Sequence, residues 1–377
     1  MFRQLKLDVR LIKEIDKTLL ISLILLVLYG TFNIYLCTKG IENGPNFARQ
    51  QLSWFLLSLV GLYIFISIDY TILFNYVPIF YWGTVVLLIL TMVPGIGIVV
   101  NGARGWIRLG VGNIQPSEFA KLAIILMLAK KLDDMDGKIN DVKNFFILAF
   151  YCAVPVLFIV IQPDMGMSMV CFFIVLGIFY AAGFDTRIIG GGLMSLVLAI
   201  ILVWNSGLIE SYQKTRFTAF LNPEVDDAST YHLNQSLIAI GSGGMFGSKP
   251  SLSDNEGLTY AAQNVPEVHT DFIFAAIADQ WGFLGAALLL VLYGLLIYKM
   301  IAIARTSKDI FGSVICTGIV SYFLFAILQN IGMTLGLLPI TGITLPLVSY
   351  GGSSLLTTVI TVGLVINVGM RRKKIYF

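Results

Sequence analysis

The chain has 377 residues, of which 57% are hydrophobic and 12% charged, with a formal net charge of +3 and a mean hydropathy of +0.84. Water-soluble globules carry about 25% charged residues, so this composition excludes a soluble enzyme and leaves a polytopic membrane protein. The small positive balance is a topology signal and gives no reason to expect a nucleic-acid partner.

Apolar runs long enough to cross about 30 Å of hydrocarbon fall near residues 19–37, 51–68, 72–93, 117–132, 144–161, 165–183, 187–204, 271–300, 310–336 and 344–370. The expected fold is all-α and polytopic. It has about ten transmembrane helices in one domain over 1–377, with a large extracellular loop at about 205–270 between spans seven and eight. The first run follows mixed-charge residues and lacks a small-residue cleavage site, so it reads as a retained helix. Cys37, Cys152, Cys171 and Cys316 show no paired spacing, which implies neither a disulfide framework nor a metal knuckle. An even number of spans puts both ends on one face. Most Lys and Arg share that face, from Arg3 to Lys17, Lys130 to Lys143 and Arg371 to Lys374. Positive loops stay inside, so both termini are expected in the cytoplasm and the long loop outside.

Polar residues cluster at the outer ends of several spans. Before span four, Arg104 and Arg108 flank Trp106. They read either as interface anchors or as planar donor forks for a phosphate or pyrophosphate. In Gln115 to Lys121, Pro116 suits a first helical position, and Glu118 and Lys121 are neighbours on one helix face. They form either an ion pair stapling the helix end or a cation lining a polar cavity. Gln162-Pro163-Asp164 opens span six in the same way, as cap or as cavity wall. The outer loop carries Tyr212-Gln213-x-x-Arg216, Phe220 to Pro223, Asp226, Tyr231-His232 and Gln235-Ser236, enough specified positions for a folded loop. Its Gly241 to Gly244 either turns the chain or lets backbone approach a ligand.

The stretch Val265 to Phe274 sets Glu267, His269 and Asp271 at the mouth of an apolar helix. Charge inside a bilayer costs about 2.5–3.5 kcal/mol at its centre, which makes function a fair default reading. The alternative is that Thr270 caps the helix and Asp271 complements its positive end. In Ser349 to Ser354, small residues permit close helix packing, or freed amides meet an anionic head group.

Together QPSEFAKL, QPDMG, YQxxR with FLNP, YHxxQS with AIGSGG, PEVHTDFIFA and SYGGSS resemble the family of shape, elongation, division and sporulation proteins. Its members RodA and FtsW polymerise peptidoglycan in the bacterial inner membrane. The resemblance runs from Asp16 to Lys374, and Leu338 to Gly342 with Leu345-Pro346 looks more like the elongation branch. It implies a glycosyltransferase that uses lipid II as donor and acceptor at the outer face of the cytoplasmic membrane. The product is a β-1,4 glycan made with inversion for cell elongation and shape, and undecaprenyl pyrophosphate is released. Asp271 matches the family's catalytic carboxylate and is implied to be the base. Glu267 would orient the loop, tune Asp271 or share a cation with it. Lys121, Arg216 and Arg104 are candidates to meet the pyrophosphate charge, which a divalent cation, Mg²⁺ or Mn²⁺, could share. Glu118, Asp164, His269, Ser349 and Ser353 complete the candidate substrate contacts, with His269 as an orienting partner. The resemblance also implies a class B penicillin-binding protein transpeptidase as partner.

Three departures stand out. Gly105 occupies a position where relatives commonly have Arg, so Arg104 or Arg108 would have to substitute. Asp279-Gln280 replaces a usual Glu-Glu, and Asp279 reads first as a buried structural group. A longer link, Ser248 to Gln263, precedes Pro266. Two rival functions are a flippase for lipid-linked precursors and a non-catalytic scaffold for a transpeptidase. The outward clustering of polar residues, with no polar path to the cytoplasmic face, favours the polymerase.

Overall fold

A computed structural model describes residues 9–372, apart from 42, 101–102, 110–111, 188, 192, 195–227 and 249–257. In chain order the main elements are α1 (Lys17–Thr38), α2 (Pro45–Ser67), α3 (Tyr70–Met92), β1 (Gly97–Val100), β2 (Ala103–Leu109), β3 (Gly112–Ile114), α4 (Pro116–Asp134), α5 (Val142–Ile161) and α6 (Met165–Ala181). They continue as α7 (Ala228–Gly243), α8 (Tyr260–Asn264), α9 (Ile273–Arg305), α10 (Ile310–Thr334) and α11 (Gly352–Met370). Nine of the ten expected spans are present. The seventh, 187–204, lies largely outside the described residues.

Local chemistry starts these helices. The carboxylates of Asp16, Asp69, Asp141, Asp164 and Asp309 accept backbone N–H groups in the first turns of α1, α3, α5, α6 and α10, satisfying donors that have no intrahelical partner. Pro45 and Pro116 open α2 and α4, where a missing N–H costs nothing. Among the described residues, seven helices, α1, α2, α3, α5, α9, α10 and α11, are long and apolar enough to cross a membrane. The charged α4 is the buried centre: Pro116 to Ser117 and Ala120 to Ala129 are all enclosed, together with Glu118 and Lys121. It packs against α3, α5, α6, α10 and α11, so protein rather than lipid surrounds it.

Asp16 at the start of α1 pairs with Lys299 near the end of α9 at 3.3 Å, and Asp69 at the start of α3 pairs with Arg371 after α11 at 3.3 Å. Since α1 and α2 run in opposite senses, both ends of the described chain lie on one side of the bundle. On the other side, β1, β2 and β3 form an antiparallel meander with Ile98 opposite Trp106 and Arg108 opposite Asn113.

Two stretches break the expected helical pattern. Residues 337–351 are not helical, so the last span starts at Gly352 rather than 344. Leu347 has φ 68° and Gly342 φ 72°, angles no helix accommodates. Buried backbone needs partners, and side chains from three helices supply them. Gln329 Nε2 donates to Pro339 O at 2.8 Å, Asn330 Nδ2 to Ile343 O at 2.8 Å, Tyr293 Oη to Pro346 O at 2.5 Å and Gln51 Nε2 to Ser349 O at 2.9 Å.

The second break is in α9 at Gly282, with φ 63° and ψ −159°. The turn after α7 takes over the freed groups. Phe283 N donates to Gly244 O at 2.9 Å, and Ser248 N donates to Asp279 O at 2.8 Å. Gly243 fits only because a Cβ there would meet Ala278 O at 2.0 Å. Gly243 therefore packs backbone to backbone against α9, while Gly244, at φ 51°, turns the chain.

Candidate active site

Four helix starts meet on the sheet side of the bundle. Gln115, before α4, donates from Nε2 to Asp164 Oδ2 at 3.1 Å, joining the start of α6. Its backbone N–H donates to Ser353 Oγ at 3.3 Å, and that hydroxyl donates to Asn113 O at 3.1 Å, joining the start of α11. Ser349 Oγ donates to Thr270 O at 2.6 Å and Tyr350 N donates to His269 O at 2.9 Å, joining the turn that begins α9. The segment 349–357 thus holds two polar clusters side by side. The starts of α4, α9 and α11 have no side-chain cap, and each carries a partial positive charge, a ready setting for an anion.

In the first cluster Lys121 Nζ lies 2.5 Å from Glu118 Oε2, with side chains 1% and 6% exposed. Thr357 Oγ1 donates to the same Glu118 oxygen at 3.0 Å, and the ammonium sits 3.9 Å from the Tyr322 ring centroid. The pair is therefore self-contained, as the stapling reading expects, and it is buried at the meeting of the helix starts. Asp164 accepts Met167 N at 3.0 Å as the cap of α6. Burial pushes its carboxyl above the ordinary value, against the hydrogen bonds from Met167 N and Gln115 and with the Glu118 charge adding to the rise.

The second cluster is the turn 266–272. Thr270 does not cap α9: its N-cap position is Phe272, and Thr270 Oγ1 donates to Glu267 O and Oε2, each at 3.1 Å. Glu267 is exposed and held at φ 51°, a strained conformation for a side chain of this size. Asn330 Nδ2 donates to Asp271 O at 2.8 Å, so the carboxylate-bearing residue is fixed by its own backbone. His269 packs between Phe47, 4.5 Å away, and Tyr350, 5.6 Å away. Burial lowers its pKa from 6.5, with Glu267 pulling the other way. Ser349 and Ser353 spend their hydroxyls on backbone, Ser349 also accepting Leu345 N at 2.8 Å. Both position the segment.

Asp279, the seventh residue of α9, is fully buried and accepts Ser248 Oγ at 2.7 Å, Ser242 Oγ at 3.2 Å and Ala261 N at 2.6 Å. It ties the turn after α7 and the start of α8 to α9. Arg104 and Arg108 are exposed on β2. Strand alternation puts them with Trp106 on the face opposite Gly105, where a Cβ would stand 3.5 Å from Gln162 Oε1. Neither arginine can therefore take the place that Gly105 leaves. That oxygen is buried without a partner. Arg216 lies outside the described residues, as do the YQxxR and FLNP stretches.

A divalent cation would need several hard oxygen or imidazole donors. No group of three or more His, Cys, Asp or Glu able to hold a metal forms among the described residues.

Sequence reasoning missed the first outer loop and the tenth-span partners. Phe47 and the Gln50-Gln51 pair frame the site, with Tyr350 Oη donating to Gln50 Oε1 at 2.5 Å and Gly351 N to Gln51 Oε1 at 3.2 Å. Gln329-Asn330, a polar pair inside an apolar run, was the available signal.

The FtsW, RodA and SpoVE family, described as cell cycle protein, matches residues 15–374. Stage V sporulation protein E of Bacillus subtilis is 35% identical over 365 residues, covering 94% of this chain and 96% of its own. Peptidoglycan glycosyltransferase MrdB of Escherichia coli K12 is 33% identical, covering 96% and 95%. The crystal structure of rod shape determining protein RodA of Thermus thermophilus superposes with a TM-score of 0.71 at 29% identity, covering 96% of this chain and 98% of that one. A chain from "Structural coordination of polymerization and crosslinking by a peptidoglycan synthase complex" superposes with a TM-score of 0.78 at 29% identity, covering 94% and 97%.

Proposed function

The chain belongs to the FtsW, RodA and SpoVE family and is a peptidoglycan glycosyltransferase; from that premise we propose that it polymerises lipid II into β-1,4 glycan at the outer face of the cytoplasmic membrane. The observation that carries the reading is the placement of Asp271. It sits in a turn locked through the backbone by Asn330, Ser349 and Tyr350, beside the meeting of four helix starts.

A hydroxyl is a poor nucleophile until a base takes its proton, and a positioned base contributes about 10²–10⁴-fold. Asp271 accepts the proton of the acceptor sugar's 4-hydroxyl as that oxygen attacks the anomeric carbon of the donor from the face opposite the pyrophosphate. The new C–O bond forms while the bond to the pyrophosphate oxygen breaks. Its electron pair leaves with undecaprenyl pyrophosphate, and the anomeric configuration inverts. The departing charge meets the helix starts with Lys121 among them, and Arg104 and Arg108 stand exposed on the adjoining sheet. Such fixed dipoles and charges act most strongly where charge develops.

The Lys and Arg bias puts both chain ends in the cytoplasm and the site outside. A class B penicillin-binding protein supplies cross-linking, a pairing supported by the likeness to a chain from a complex of polymerisation and crosslinking. Service in elongation rests on Leu338 to Gly342 and Leu345-Pro346. Among the described residues at the other face, polar groups pair with one another, as Tyr70 Oη with Asp309 Oδ2 at 2.6 Å and Arg371 with Asp69, which weighs against the flippase reading.

The test compares purified wild type and Asp271→Asn, each with its transpeptidase, on labelled lipid II. Long glycan from the first and none from a folded second is the expected result. Equal polymer from both would remove Asp271 from the reaction, and none from either would favour the flippase or scaffold.

A further inference from the structure

An open pocket of about 430 Å³ lies beside the turn that carries Asp271, lined by Ile41, Tyr231 and residues 262–269. Its size falls in the range of small-molecule sites. Its lining has a definite chemical character. Tyr231 is 49% exposed and offers a ring face. The exposed Gln263, with Asn264 beside it, offers amides, and Glu267 offers a carboxylate at the rim. Among the described residues, no Lys or Arg lines it.

The two walls are fixed relative to each other. Tyr260 Oη donates to Gln235 Oε1 at 2.5 Å, tying α8 to α7, and Asp279 holds Ala261 N at 2.6 Å. His232, next to Tyr231, packs edge-on to Phe272 at 6.0 Å. The pocket is therefore formed before any ligand arrives.

Charge decides which part of a lipid-linked saccharide suits it. A pyrophosphate, or the carboxylates of a stem peptide, would meet the Glu267 carboxylate and, among the described residues, no Lys or Arg to offset it. A neutral sugar presents an apolar ring face for an aromatic side chain and hydroxyls that both donate and accept, which suit amides and a carboxylate. We propose that this pocket is the subsite for the neutral N-acetylhexosamine saccharide of the acceptor, with Tyr231, Gln263 and Asn264 setting its specificity. The inference rests on the polymerase reading, and it adds a recognition site whose residues come partly from the link that departs from the family pattern.

The test reads binding apart from turnover. The probe is a β-1,4-linked N-acetylglucosamine tetrasaccharide without lipid or phosphate, added to the full-length protein in detergent and followed by saturation-transfer NMR. Wild type should bind it. Tyr231→Ala and Gln263→Ala should weaken binding about fivefold or more, whereas Tyr231→Phe, which keeps the ring, should retain it. Inorganic pyrophosphate should not displace the probe. Failure of wild type to bind, equal binding by all variants, or displacement by pyrophosphate would each overturn the proposal. Gln263 is exposed, so its variant decides the matter if Tyr231→Ala misfolds. Saccharide binding without glycan synthesis would sink the polymerase reading alone. Glycan synthesis without saccharide binding would sink the pocket alone.

Discussion

Asn330 holds Asp271 by its peptide oxygen: Nδ2 donates there at 2.8 Å and, with its other hydrogen, to Ile343 O at 2.8 Å. Both amide hydrogens are used, so the orientation of this fully buried group is fixed. Asn330→Asp keeps the shape and loses both donors. Each buried carbonyl left unpaired costs about 1–3 kcal/mol. A shift of the turn by about 1 Å is enough to slow catalysis about 10²-fold. Thermal unfolding and glycan yield should both fall, and an Asp variant as active as wild type would refute the role.

The Glu118–Lys121 pair offers a separable prediction. Removing one partner of a buried pair costs about 3–5 kcal/mol, while replacing both by apolar or neutral groups of similar volume is often harmless. Lys121→Met alone should lower the unfolding midpoint sharply. Adding Glu118→Gln should restore most of it without restoring polymer synthesis, because a fixed cation then remains absent where charge develops. Recovery of both together would make the pair a staple only.

Asp279 accepts three donors from the outer loop. Asp279→Ala should leave the Ala261 amide unpaired and loosen α8. Hydrogen exchange should accelerate across 258–265, with the lower half of α9 unaffected. Unchanged exchange there would show that the loop is held by other means.

Acid should weaken the site through His269. Its pKa is lowered by burial, so as pH falls through the ordinary imidazole range the unfolded chain takes up a proton that the folded turn resists. Stability is then present above that range and declines on the acid side. His269→Gln should flatten this slope between about pH 7 and 5, as read from unfolding midpoints over that interval.

The membrane spans were legible because lipid-facing helices need long apolar runs, whereas Asp271 stood out from the other helix-start carboxylates, Asp16, Asp69, Asp141, Asp164 and Asp309, only through the motif around it. The re-entrant stretch 337–351 was not, since Leu345 to Val348 are apolar whether they face lipid or protein. Only distant partners, Gln51, Tyr293 and Asn330, make its irregular backbone tolerable. The meander at 97–114 hid between two spans for a similar reason: its few alternating residues look like interfacial anchors until β1 and β3 pair with β2. The break at Gly282 left only a glycine as trace, one among 36 in the chain.

The convergence of α4, α6, α9 and α11 has an evolutionary consequence. Each helix start is worth about half a positive charge, carried by peptide groups that no point substitution deletes and no change of pH titrates, and the Glu118 and Asp164 carboxylates offset part of it at α4 and α6. Side chains around the site can therefore change while that backbone contribution persists. Only a change that displaces a whole helix, such as an insertion between Gln115 and Pro116, would erase it.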